Sequence, residues 1–148
     1  MSLKTRINDD VKGAMRGGDA RRRDALRLLL AALKQREVDD RKELADTDVI
    51  AVIDKMIKQR REAIVQFEKG GRQDLAQNEH YEISVFQAYM PQALSDTEIE
   101  AAVAEAISAA GAKAPSDMGK VMGALKGKLA GRADMTKVSA LVKGKLAG

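Results

Sequence analysis

The sequence predicts an all-α protein, with a four-helix N-terminal domain followed by a small three-helix C-terminal domain. Three observations lead to that class. Apolar residues recur at helical spacing almost throughout the chain. The composition is 32% charged and rich in Ala, Leu, Lys, Arg and Glu, which are good helix formers. Only two prolines occur, and no stretch sustains the period-two alternation of a half-buried strand.

The first helix is read from Leu3, Ile7, Val11 and Met15, and Gly17 and Gly18 stop it. Asp19 is placed to cap the second, whose stripe is Leu26, Leu29, Leu30 and Leu33. A polar connector, "DDRKELADTD", leads to a third helix on Val49, Val52, Ile53, Met56, Ile57, Ile64 and Phe67, with Asp46 or Thr47 as its cap. Gly70 and Gly71 break the pattern, and a fourth helix runs through Leu75, Ile83, Phe86 and Met90 to Pro91. Pro91 disfavours helix at the residue before it, so the domain boundary is drawn here, as 1–92 and 93–148. "SDTE" (Ser95–Glu98) reads as a capping box for a fifth helix on Ile99, Val103 and Ile107 that stops at Gly111. A sixth, capped by Ser116 or Asp117, uses Met118, Val121, Met122, Leu125 and Leu129. The seventh uses Val138, Leu141, Val142 and Leu146.

Most familiar chemistries find no support in these residues. There is no cysteine, so disulfides and thiolate metal sites are excluded. His80 is the one histidine, and a metal there would have to draw on Asp74, Glu79 or Glu82 without any recognisable loop spacing. It is read as a surface or packing residue, and neither metal nor cofactor is expected. No phosphate-binding glycine loop or catalytic triad is evident, and the paired carboxylates Asp9–Asp10 and Asp39–Asp40 are adjacent helical residues that diverge rather than share a site, so no intrinsic catalysis is assigned. The longest apolar run, "LLLAAL" (Leu28–Leu33), is too short to span a bilayer, so no membrane partner is expected. The charged, amphipathic start resembles no signal peptide, and a cytoplasmic location is the expectation.

Charge is unevenly spread. Residues 1–36 carry ten Lys/Arg against four Asp/Glu, residues 37–112 eight against sixteen, and residues 113–148 eight against two. Basic ends around an acidic middle suit a polyanionic partner. Arg21, Arg22 and Arg23 form one basic cluster, read equally well as solvated arginines or as a phosphate contact, while "KQRRE" (Lys58–Glu62) is read as structural.

The last two helices say more. With Gly119 taken as zero, an ideal helix puts Gly119, Gly123 and Gly127 at about 0°, 40° and 80°, and centres the apolar set at about 260°. Lys120 and Lys126 flank this strip, and Lys128 and Arg132 follow. Gly144 repeats the theme with Lys137, Lys143 and Lys145. Each glycine inside a helix costs about 0.5–1 kcal/mol relative to Ala, so an outward row of them calls for close approach by another backbone. Two partners fit: a neighbouring helix, or a sugar-phosphate chain with the lysines at its edges. Both basic segments lack aromatic rings on which single-stranded bases stack, so a folded RNA suits the pattern better than a single strand.

"RRDALRLLLAALKQ" (Arg22–Gln35), "IKQRREAIVQFEKGGRQDL" (Ile57–Leu75), "EHYEISVFQAYMP" (Glu79–Pro91) and the stretch from "SDMGKVM" at Ser116 to Leu146 resemble the YqeY-like family. That family is similar to the tail of GatB, the B subunit of the tRNA-dependent amidotransferase, an enzyme of carbon–nitrogen ligation with glutamine as amido-nitrogen donor. The resemblance implies two all-α domains and a tRNA-facing role for Gly119, Lys120 and the basic helices that follow. ATP and ammonia chemistry lie in other parts of that enzyme. The expected partner is tRNA, with amidotransferase or aminoacyl-tRNA synthetase proteins as further partners. The alternative is an adaptor whose partner is a protein rather than RNA.

Overall fold

The computed structural model describes residues 2–129 and 131–147. Among them the chain forms seven α-helices and no strand: α1 (Leu3–Arg16), α2 (Ala20–Asp40), α3 (Asp46–Lys69), α4 (Gln73–Gln87), α5 (Asp96–Ala110), α6 (Met118–Leu129) and α7 (Met135–Ala147). A single 3-10 turn at Pro115–Asp117 leads into α6. Packing divides the chain into two compact units, Met1–Met90 and Pro91–Gly148.

In the first unit, Ile7 and Val11 of α1 pack with Leu26, Leu29 and Leu33 of α2, the Val49–Ile64 face of α3, and Ile83 and Phe86 of α4. Two residues counted in the apolar stripes lie outside this core: Met15 is 52% exposed and Leu75 36%. Ala14 and Ala76 occupy the inner positions instead, at 3% and 1%. The reason is helical drift. Met15 lies about 80° round the axis from Ile7, and Leu75 the same from Ile83, whereas Ala14 and Ala76 lie only about 20° away.

The caps follow the same logic of competing partners. Asp19 accepts from the Arg22 N–H at 3.1 Å and opens α2 as expected. Neither Asp46 nor Thr47 caps α3, whose N-cap is Ala45. The Asp48 carboxylate receives the Ala45 N–H at 3.0 Å, while Asp46 accepts from the Leu3 N–H at 3.0 Å and so satisfies a further first-turn N–H of α1, which Ser2 caps. Arg41 ends α2 with φ of 54°, a left-handed conformation that a side chain adopts at a cost of roughly 1 kcal/mol. Glu37 steadies this corner. It receives Lys4 Nζ at 2.7 Å and the Leu44 N–H at 3.1 Å, and these contacts, Lys4 first, hold its carboxyl below the usual range.

Three arginines lie over aromatic rings of this unit, Arg6 over Tyr89, Arg21 over Tyr81 and Arg60 over Phe86. Arg60, from the "KQRRE" stretch, also donates to Glu82 at 2.7 Å and to the Met56 carbonyl at 3.3 Å, in keeping with a structural role. Tyr89, 4% exposed, donates its hydroxyl to Asp10. Burial first, then that hydrogen bond, push the phenol well above its ordinary value.

The second unit is smaller and its core is wholly aliphatic: Val103 and Ala106 of α5, Val121, Leu125 and Leu129 of α6, and Val138, Val142 and Leu146 of α7. Ser95 and Glu98 form the expected capping box at the start of α5. Asp117 does not cap α6. Its carboxylate receives the Lys113 and Ala114 N–H groups at 3.0 and 3.3 Å, closing the turn ahead of the helix. Gly131, at φ of 77°, takes the left-handed position that "LAG" implies. The second copy of that motif ends on Gly148, outside the described residues. Arg132 then binds back to the segment before α5, accepting from the Leu94 N–H at 2.9 Å and donating Nε to the Gln92 carbonyl at 3.0 Å.

Replacing Tyr89 with Phe is expected to cost about 1 kcal/mol by removing one buried hydrogen bond while keeping the ring. Urea unfolding followed by circular dichroism measures this, and an unchanged midpoint would remove the Tyr89–Asp10 bond from the account.

Candidate nucleic-acid interface

The second unit sorts its charge by helix. α5 carries Asp96, Glu98, Glu100 and Glu105 and no Lys or Arg, whereas α6 carries Lys120, Lys126 and Lys128 and α7 carries Lys137, Lys143 and Lys145, with no carboxylate on either. All ten side chains are exposed. The ion pairs found among the described residues all lie in the first unit. Among the described residues none of the six lysines of α6 and α7 has a carboxylate within 4.0 Å, whereas Lys4, Arg36, Lys58 and Arg60 of the first unit pair within the fold.

The glycines of α6 meet open space. A Cβ built on Gly119, Gly123, Gly127 or Gly144 would find no atom within 4 Å. Among the described residues, no helix of this unit is packed on the strip. Val121, Leu125 and Leu129 turn inward, so Gly119, Gly123 and Gly127 turn out, with Lys120 and Lys126 beside them. The exposed backbone of α6 is thus open to an incoming molecule along about two turns.

The other residues of the expected site are less uniform. Lys128 and Arg132 border a depression between α5 and α6 that also holds Glu98 and Glu105, and Arg132 is committed to Gln92. Lys137 lines a second groove with Asp96, Glu100 and Asp134. Gly144 is seven residues on from Lys137, about 20° away round the axis, and so shares that side of α7. Lys143 and Lys145 are exposed near the end of the helix.

Arg21, Arg22 and Arg23 belong to the first unit, and each has a partner there. Arg21 sits 4.0 Å from the centroid of the Tyr81 ring, Arg22 is 3.9 Å from Asp10, and Arg23 pairs with Asp24 at 2.9 Å. His80 is exposed on α4, and among the described residues no three His, Asp or Glu side chains are grouped to hold a metal. The feature missing from the sequence-based expectations is the acidic character of α5, with Asp96 and Glu100 toward α7 and Glu98 and Glu105 toward α6. Its signal was present in "DTEIEAAVAE", which has four acids and no base, but it was absorbed into a long acidic middle segment instead of being assigned to one helix.

A family model described as "Yqey-like protein" matches residues 4–146. The chain belongs to the YqeY-like family. Among curated proteins, this YqeY-like chain is similar to "Altered inheritance of mitochondria protein 41, mitochondrial" from three yeasts. The Eremothecium gossypii protein is 39% identical over 85 residues, 57% of this chain and 46% of that one. The Lachancea thermotolerans protein is 32% identical over 105 residues, 69% of this chain and 56% of that one. The Kluyveromyces lactis protein is 32% identical over 106 residues, 69% and 57%. The chain spans about half the length of these relatives.

Their names overturn the cytoplasmic expectation, because all three are named as mitochondrial. That expectation rested on a charged start and short apolar runs. Such features bear on secretion and membrane insertion and do not separate one aqueous compartment from another.

Because the outward glycines meet nothing, changing Gly123 or Gly127 to Ala is expected to stabilise the protein by about 0.5–1 kcal/mol each, through helix propensity alone. Thermal and urea unfolding read the effect, and a loss of stability would mean that the strip is packed.

Proposed function

We propose that the Pro91–Gly148 unit of this YqeY-like protein is an RNA-docking module that receives the backbone of tRNA on α6 and the end of α7. The observation that carries the reading is a set of lysines with no ion-pair partner among the described residues, beside a helix backbone left open by three glycines. Lys120, Lys126, Lys143 and Lys145 are the proposed phosphate partners, with Gly119, Gly123 and Gly127 allowing close approach. Lys128, Arg132, Lys137 and Gly144 have the weaker claim, since each lies toward carboxylates or is bound within the fold. Arg21–Arg23 remain a secondary contact, reached only if RNA displaces their present partners.

The mechanism is electrostatic. Phosphates release counterions on binding, and an RNA held by its backbone is positioned without being read base by base. No chemical step is assigned to this chain. Family membership supports a parallel with the tail of the amidotransferase B subunit. In that parallel, glutamine-dependent amide formation belongs to an associated protein, and this unit presents the tRNA.

With about five phosphates neutralised, the logarithm of the tRNA binding constant should fall against the logarithm of salt concentration with a slope of about −3.5 to −4.5. Changing Lys120 and Lys126 to Ala should reduce that slope by about one each. Filter binding over a salt series measures both, and no retention of tRNA at low salt would remove the reading.

A further inference from the structure

The groove between α5 and α7 has the opposite character to the glycine strip. Ile99 and Leu141, half-buried, and Ala140 make it largely apolar, while Asp96, Glu100 and Asp134 bring three carboxylates and Lys137 a single cation. The space is about 430 Å³ and open to solvent. Ala140, exposed on α7, leaves that wall of the groove low.

Each feature narrows the occupant. A surplus of carboxylates repels phosphate, so nucleic acid is disfavoured here even where it is favoured on α6. Aliphatic side chains along the groove match a ridge of Leu, Ile or Val spaced at three and four residues on an incoming helix. The low wall at Ala140 lets that helix come close. The surrounding carboxylates match Lys or Arg side chains, whose apolar stems lie along the groove while their charged heads reach outward. We propose that the α5–α7 groove docks a basic amphipathic helix of a partner protein. This surface is separate from the α6 glycine strip, so the unit can present RNA and hold a protein partner together, and the proposal stands whether or not RNA binds.

The probe is a designed, fluorescently labelled helical peptide with Leu along one face and Lys on its flanks, titrated into the full chain and read by anisotropy. A matched peptide with Glu in place of Lys serves as control. The Lys peptide is expected to bind and the Glu peptide not to. Glu100→Lys, at an exposed position, is expected to weaken the Lys peptide by about tenfold. Ala140→Glu separates docking from general attraction. It adds negative charge but fills the groove, so docking predicts weaker binding, and diffuse attraction predicts stronger binding. Equal binding of both peptides, undiminished binding by Glu100→Lys, or tighter binding by Ala140→Glu would each overturn the proposal. Filter binding of tRNA by the same two variants should be retained, with circular dichroism confirming that they fold.

Discussion

The Pro91–Gly148 unit depends on one constraint: three short helices must close on a core made only of Val, Leu, Ala and their partly buried neighbours. Charged side chains cannot shed their hydration in such a core, so all that are described lie outside it, and no arginine–aromatic contact or carboxylate–lysine ion pair is found among the described residues of the unit. Since the charges are already sorted along the chain, acids on α5 and lysines on α6 and α7, keeping them at the surface gives acid-rich borders on both sides of α5 and a lysine-flanked glycine strip on α6. The surface therefore follows from the poverty of the core.

The first unit solves the same problem differently. Its arginines fold back over Tyr81, Phe86 and Tyr89, and its carboxylates bridge helices, as Glu37 does between α1, α2 and the connector, and Asp46 between the starts of α1 and α3. Basic residues there are largely used in holding the fold. This contrast, rather than net charge, is what separates Arg21–Arg23 from the lysines of α6.

Helix class and the inward faces were legible in the sequence because burial follows the 3.6-residue period. A strict four-residue spacing departs from the buried line at two positions: Met15 and Leu75 each sit one step off the line that Ala14 and Ala76 continue. Alanine carries too little apolar signal to draw attention, so the core positions it fills are hard to see. Caps were ambiguous for a related reason. Asp46 and Asp117 look like caps of the next helix, but their carboxylates serve other N–H groups, one of them distant in sequence. The outward turn of the α6 glycines could be read from spacing, whereas their freedom from any neighbour could not, because it depends on where the other helices lie. The acidic groove was hidden for the same reason, since Asp96 and Lys137 are brought together only by the packing of α5 on α7.

The most direct test of the account is to titrate tRNA into the isotope-labelled protein and follow its backbone amide resonances. The account predicts that the signals of Gly119, Gly123 and Gly127 move first and most, together with those of Lys120 and Lys126, while the amides of Asp96–Glu105 on α5 stay still. Shifts confined to the first unit, or centred on α5, would contradict it.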